Sequence, residues 1–225
     1  MTRVSCIIPA YNEARRIGEV LAVTTAHSLI DEVIAVDDGS TDNTANIISR
    51  FEKARLIVLE QNTGKSGAIC AGIRQSTGEF LLFLDADLIG LTANDVTDLL
   101  LPVLSGCADA SISLRADALL PWRTIGLDYL SGERVLRRDM LAGHVDIIER
   151  LPGFGLETYL NNLLVRRNAR VKSVWWEGVG HVYKARKYGL WNGITGEARM
   201  LMNIAETISL AGTAHQIVAL YRLKV

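Results

Sequence analysis

Two aspartates, Asp85 and Asp87, follow directly on the apolar run Phe80-Leu81-Leu82-Phe83-Leu84. Such a run reads as a buried central strand. Residues i and i+2 of a strand point to the same side, so the two carboxylates are expected to emerge together. Side by side they repel unless a cation or hydrogen-bond donors lie between them. A hard divalent ion, held by one or two carboxylates and completed by substrate phosphates, meets that need. A strand end with one aspartate capping the next turn is the plainer alternative.

Three more polar clusters follow apolar runs. Pro9-Ala10-Tyr11-Asn12-Glu13 comes first, then Asp37-Asp38-Gly39-Ser40-Thr41-Asp42, then Asn62-Thr63-Gly64-Lys65-Ser66-Gly67-Ala68. Each alone has an ordinary reading as turn chemistry or a helix cap. Their convergence on one edge of one sheet is harder to explain that way.

The elements that must position them alternate. Val4–Ile8, Glu32–Val36, Leu56–Leu59, Glu79–Leu84 and Ala110–Leu114 read as strands. Helical stretches lie between. One is capped by Asn12 and turns Ile17, Val20, Leu21 and Thr24 to one face; the others span Asp42–Phe51, Ser66–Gln75 and Ala93–Leu104. Nearly continuous apolar strands alternating with helices predict an α/β fold with a mostly parallel sheet covered on both faces. Ligands of such sheets bind outside the carboxyl ends of the strands, where all four clusters fall. Further on, Arg115–Gly155 is a mixed segment with a basic cluster of Arg134, Arg137 and Arg138. Glu157–Val165 reads as a helix and Val171–Trp176 as a strand. Glu197–Arg222 reads as one long helix with Leu201, Ile204, Ile208, Ala211 and Val218 near one stripe.

The four clusters, in this order and spacing, resemble family 2 glycosyltransferases of the GT-A fold. The dolichol-phosphate mannosyltransferase-like and glucosyl-phosphoglycerate synthase-like members are the nearest in appearance. The resemblance covers about the first 115 residues. It implies a Rossmann-like GT-A sheet flanked by helices, here with a C-terminal helical extension. It divides the chain into a nucleotide-sugar half, 1–115, an acceptor half, 116–190, and a C-terminal helix, 191–225. It implies that Pro9, Tyr11 and Glu13 line the nucleotide pocket and that Asp38, with Asp37 beside it, reads the base. It further implies that Lys65 approaches the nucleotide or its phosphates, and that Asp85 and Ala86 belong to the nucleotide-sugar site, Asp85 contacting ribose or metal. Asp87 would hold Mg²⁺ or Mn²⁺ on the diphosphate and so act catalytically.

Gly132-Glu133-Arg134 with Arg137 looks like the family's acceptor segment. Guanidinium forks suit a phosphate-bearing acceptor, while an exposed basic helix face is the alternative. Glu157, in Gly153-Phe154-Gly155-Leu156-Glu157, stands where the family often carries an acid, and is a candidate general base. An ionised phosphate acceptor would need no base. His181 resembles a late metal-binding histidine, with a structural role as the alternative, and Lys184 and Lys187 beside it could help hold the diphosphate. Uridine and guanosine diphosphate sugars both stay open as donors. Polyprenyl phosphate, a phosphorylated small molecule and a growing glycan stay open as acceptors.

Composition narrows the alternatives. The 225 residues are 49% hydrophobic and 22% charged, enough for a sizeable core. A net charge of -1 argues against a general nucleic-acid binder. Cys6, Cys70 and Cys107 show neither zinc spacing nor a disulfide framework, which suits a reducing, cytoplasmic setting. The apolar start Val4–Ile8 is too short for a secretory signal, and Thr207–Tyr221 is too short and too polar to span a bilayer. That C-terminal stretch is nevertheless apolar beyond one stripe. It is expected to pack within the protein or across a homodimer, or else to touch the inner membrane surface peripherally. A P-loop fails because position 59 is Leu59 where a glycine is needed, and no G-x-G-x-x-G follows the first strand. A nucleotidyltransferase would carry a glycine-rich basic stretch after that strand. A non-catalytic sugar-nucleotide binder is opposed by the intact Asp85 and Asp87.

Overall fold

The computed structural model describes residues 3–153, 155–181 and 210–225. Strands β1 (Val4–Ala10), β2 (Glu32–Asp37), β3 (Ala54–Val58) and β4 (Phe80–Phe83) alternate with helices α1 (Ile17–Ala26), α2 (Thr44–Ile48) and α3 (Gly64–Gln75). There follow β5 (Leu88–Ile89), α4 (Ala93–Leu104), β6 (Ala110–Arg115), α5 (Leu120–Ile125), β7 (Arg134–Arg137), α6 (Val145–Ile148), α7 (Gly155–Arg166), β8 (Val171–Trp176), β9 (Gly180–His181) and α8 (Leu210–Arg222). Seven strands form one sheet in the order β3-β2-β1-β4-β7-β6-β8, and β5 pairs with β9 in a small second sheet. All pairings in the large sheet are parallel except those of β7, which runs antiparallel to both β4 and β6. The expected mostly parallel α/β architecture is thus present.

The strands are apolar throughout because both faces are covered. Cys6, Ile8 and Leu82 join Val20, Leu21 and Leu99 on the α1 and α4 side. Ile7, Leu81 and Phe83, one residue out of phase, join Ile69, Ile73 and Leu160 on the α3 and α7 side. The expected inner face of α1, Ile17, Val20, Leu21 and Thr24, is the buried one. Helix α4 begins with a capping box in which Thr92 accepts from Asp95 N and Asp95 returns the bond to Thr92 N.

Three expectations are corrected. Asn12 does not cap α1, which starts at Ile17. Its backbone is left-handed, φ 56°, and its side-chain oxygen accepts from Thr41 N at 2.8 Å and Asp42 N at 3.3 Å, so it ties the loop after β1 to the loop after β2. The Arg134–Arg137 cluster is no basic helix face. It is an interior strand, because Val135 and Leu136 bury on opposite sides of the sheet. Of the C-terminal helix only α8 is described, and Val218 on the expected stripe is exposed. The inward face carries Gln216 and Leu220 instead. Gln216 accepts from the Tyr129 hydroxyl and donates to Thr158 O, and Leu220 packs with Leu160 on α7. No helix among the described residues is long and apolar enough to cross a membrane.

β7 lies between β4 and β6, so the segments expected as donor half and acceptor half interleave in one sheet. Because β7 is antiparallel to both neighbours, the carboxyl ends of β6 and β8 share an edge with those of β1, β2 and β4.

Candidate active site

The sheet opens at the carboxyl ends of β1 and β4. β4 stops at Phe83, opposite Ile7, and the last contact is Leu84 N donating to Ile7 O at 3.2 Å. Two residues on, Pro9 turns the same backbone side toward β4 and has no N–H to continue the ladder. The opening is a cleft of about 330 Å³. Pro9, Tyr11, Glu13, Asp38, Lys65, Asp85, Ala86 and Asp87, all read from the sequence as donor-site residues, line it together. Ala10, Asn62, Gly64 and Ala68 complete the lining.

The loops around the cleft hold one another. Asp38 N donates to Ala10 O at 2.8 Å, and Glu13 N donates to Thr44 Oγ1 at 2.9 Å. Gly39 adopts φ 69°, and a Cβ there would stand 2.7 Å from the Gln61 carbonyl carbon, so the second loop packs on the third only through a glycine. Asp38 is buried, and its carboxylate takes three hydrogen bonds from the start of α3. Thr63 N and Thr63 Oγ1 donate to Oδ1 at 2.8 Å each, and Gly64 N donates to Oδ2 at 2.9 Å. These are the amides a helix leaves unpaired at its first turn. Asp38 therefore serves the helix as well as facing the cleft. Asp37 does not line the cleft; its Oδ1 accepts from Ser40 N at 3.3 Å and shapes the turn.

Asp85 and Asp87 both reach the cleft, though by a turn between β4 and β5 rather than by strand alternation. Lys65, in the first turn of α3, lies 2.6 Å from Asp85 Oδ1 and 3.0 Å from Glu157 Oε1. Burial disfavours its ammonium, but the two carboxylates outweigh burial and hold its pKa above the ordinary lysine value. Glu157, in the first turn of α7, is 2% exposed and stands behind the cleft rather than in its wall. Its Oε2 makes no hydrogen bond among the described residues. β9 sets the backbone of His181 opposite Leu88, one residue beyond Asp87. Asp85 and Asp87 supply hard oxygen donors, and among the described residues no group of three or more His, Cys, Asp or Glu is arranged to hold a metal ion. That set suits a magnesium- or manganese-like ion that takes its remaining ligands from phosphate and water.

The two arginines expected at the acceptor are not brought together. Arg134 is buried and donates to Asn161 Oδ1 at 3.1 Å and to Ser131 O. Burial pushes its pKa down against the pull of Glu157 and Glu133. Arg137 pairs with Phe80 at the start of β4, whereas Asp85 follows the strand's end. Its guanidinium meets Asp139 at 3.0 Å and Glu79 at 3.5 Å on the surface. Alternation along β7 and the buried Val135 and Leu136 decide both placements. Lys184 and Lys187 lie outside the described residues.

One residue that sequence reading missed is Arg115, at the carboxyl end of β6 on the cleft's edge. It pairs with Asp117 at 3.2 Å, with Asp128 at 3.6 Å and with buried Glu133. Burial works against its charge, and these three carboxylates raise its pKa above the ordinary arginine value. Its position directly after a predicted strand was the available signal.

The profile described as Glycosyl transferase family 2 matches residues 5–147. The chain belongs to that family. Among curated relatives, a dolichyl-phosphate beta-glucosyltransferase of Saccharomyces cerevisiae is 32% identical over 156 residues, covering 61% of this chain and 45% of its own length. One of Trichomonas vaginalis is 38% identical over 94 residues, covering 36% of this chain and 28% of the relative. The chain thus spans less than half the length of these relatives. A glucosyl-3-phosphoglycerate synthase from Mycobacterium tuberculosis, crystallised with Mn²⁺, uridine diphosphate and glucosyl-3-phosphoglycerate, superposes with a TM-score of 0.72 at 23% identity, covering 92% of this chain and 80% of the other. That likeness establishes the GT-A fold. The family match takes in every residue that lines the cleft but stops short of Glu157 and His181.

Proposed function

We propose that the chain transfers a hexose from a nucleoside-diphosphate sugar to a lipid phosphate of the polyprenyl type. The observation that carries the donor half is the convergence of Tyr11, Asp38, Lys65, Asp85 and Asp87 on one cleft at the carboxyl edge. The diphosphate-bound neighbours support the same donor class. In this reaction a phosphate oxygen of the acceptor bonds to the anomeric carbon as the bond from that carbon to the nucleoside diphosphate breaks. Lys65 keeps positive charge in the cleft, next to where a diphosphate would sit. Asp85 and Asp87, with His181 as a third donor, would hold Mg²⁺ or Mn²⁺, which when bound supplies positive charge to the leaving diphosphate. Asp38 fixes the start of α3 and keeps a lone pair toward the base. An ionised phosphate attacks without a base, so Glu157 serves by orienting charged groups through Lys65.

Two features favour a lipid acceptor over a soluble one. The curated relatives named above are dolichyl-phosphate enzymes. In addition, α5 buries none of its residues and follows β6 on the cleft's edge. Leu119 is 41% exposed, Leu120 69% and Trp175 48%, and the Arg123 guanidinium lies 5.9 Å from the Trp175 ring centre. Aliphatic, indole and cationic groups presented together suit a peripheral seat on an anionic bilayer.

Calorimetry with uridine and guanosine diphosphates, with and without Mn²⁺, followed by transfer assays from the matching sugar nucleotides, tests the proposal. Binding should strengthen with Mn²⁺ and lose that gain in Asp87→Ala, and label should pass to polyprenyl phosphate. Equal binding in excess chelator would refute the metal assignment. Transfer to 3-phosphoglycerate but not to the lipid would refute the acceptor.

A further inference from the structure

Lys65 touches two carboxylates that belong to different parts of the site. Asp85 belongs to the donor cleft, and Glu157 opens α7, which covers the same face of the sheet as α3. Both contacts are within charge-assisted hydrogen-bond range, and Glu157 is sealed from solvent while the lysine side chain is only 29% exposed. A third segment makes room for this bridge. A Cβ built on Gly132, in the turn just before β7, would collide with Lys65 Nζ and stand 2.8 and 2.9 Å from Asp85 Oδ1 and Oδ2. Gly132 has no positive φ, so its backbone would accept alanine and only the space is at issue. The atoms it would meet are the two charged groups themselves, so relief of the collision comes from moving their side-chain ends out of the present contact.

We infer that Lys65 is a positioning residue that locks the donor carboxylate Asp85 to the α7 carboxylate Glu157, and that Gly132 is the gap through which the lock forms. Four backbone segments then meet at one ammonium: the start of α3, the turn after β4, the turn before β7 and the start of α7. The lock rests on the proposed donor reading for its use, but its existence does not. Without it, Asp85 and Glu157 are two carboxylates facing one gap, one of them stranded in the interior, which is an expensive arrangement. With it, the two are held in a fixed relation before any diphosphate arrives. The diphosphate's own negative charge then meets a lysine already aimed at the cleft.

The experiment is a four-protein cycle: wild type, Gly132→Ala, Lys65→Met and the double variant. Melting without ligand comes first. Gly132→Ala should lower the midpoint by about 5 °C or more, since a lost buried charge contact costs several degrees in a domain of this size. In the Lys65→Met background the same change should cost clearly less, because the collision with the ammonium is gone and only that with the Asp85 carboxylate remains. If Lys65→Met does not fold, Lys65→Met with Glu157→Gln serves as the background, since it removes the stranded carboxylate. Additive losses would overturn the inference, because Gly132 would then be serving some other contact. The second readout is affinity for uridine diphosphate with Mn²⁺. Gly132→Ala, which removes no cleft side chain, should weaken it about tenfold, and by less when Lys65 is absent. Unchanged affinity in Gly132→Ala would reduce the lock to scaffolding and overturn its positioning role. A wild type that binds no nucleotide would refute the donor reading, while the melting cycle still decides the lock.

Discussion

Asp38→Ala should cost both stability and nucleotide affinity, and the structure sets the size of the first. The carboxylate satisfies two backbone amides, Thr63 N and Gly64 N, and one hydroxyl, Thr63 Oγ1. Losing a side-chain cap at a helix start costs about 0.5–2 kcal/mol, and each further hydrogen bond to a charged group adds about a kilocalorie where water cannot fully replace it. The freed donors border an open cleft, so water recovers part, leaving a net loss of about 2–3 kcal/mol. For a chain of this size that is a fall of about 4–12 °C in melting midpoint. Asp37→Ala is the matched control. Its side chain has one weaker bond, to Ser40 N at 3.3 Å, and should cost about 1 kcal/mol or less. Asp38→Asn should fall between, since it keeps one acceptor oxygen. Differential scanning calorimetry without ligand, followed by titration with uridine diphosphate below the midpoint, separates the two effects. A wild-type midpoint in Asp38→Ala, or a larger loss in Asp37→Ala, would refute the capping argument.

Three further outcomes are expected. His181→Ala should lower turnover strongly and recover in part with excess Mn²⁺; a lower midpoint with unchanged turnover would assign His181 to scaffolding. Leu120→Glu should abolish flotation with anionic vesicles while leaving nucleotide affinity untouched, and flotation equal to wild type would remove α5 from the membrane surface. Glu32 accepts from Ser5 Oγ and Thr77 N at 2.5 Å each and from Gly78 N at 3.2 Å. Burial alone would raise its pKa, but these bonds outweigh it and hold the group below the usual carboxylate value. A depressed folded pKa stabilises above the unfolded value, near 4.3, and that contribution is lost as pH falls through the folded value. Glu32→Gln should therefore narrow its deficit against wild type below about pH 4, and a deficit constant with pH would refute the assignment.

The residues of the cleft were legible because their information is local. Each motif follows its strand within a few residues, and the strand's own apolar run fixes where the turn emerges. Tyr11, Asp38, Lys65 and Asp87 could be placed on one edge without knowing any long-range contact. Asn12 was misread because a cap and an inter-loop tie use the same side-chain oxygen, and only the partner, Thr41 or a local amide, tells them apart. Arg134 was misread for a related reason. Four residues, two of them arginine, do not announce an interior strand, and its guanidinium donates to Asn161, far along the chain. The inner face of α8 was hidden by a polar residue. Gln216 turns inward because Tyr129 and Thr158 supply its partners, whereas counting apolar side chains put Val218, which is exposed, on the inner stripe.

The insertion of β7 explains why the acceptor side resists local reading. Strands laid down in sequence order would place β6 beside β4. Here β6 lies one strand farther out, and the chain returns through 116–133 to fill the gap with β7. That return carries Gly132 to the Lys65 and Asp85 contact and seats Glu133 against Arg115. Asp85 is therefore bordered by a residue that comes almost fifty positions later. A chain cut at residue 115 would leave the β7 side of β4 unpaired and Leu81 and Phe83 without the α7 layer that covers them. The residues that line the cleft are local in sequence, but the sheet beside them is closed only by the later segment.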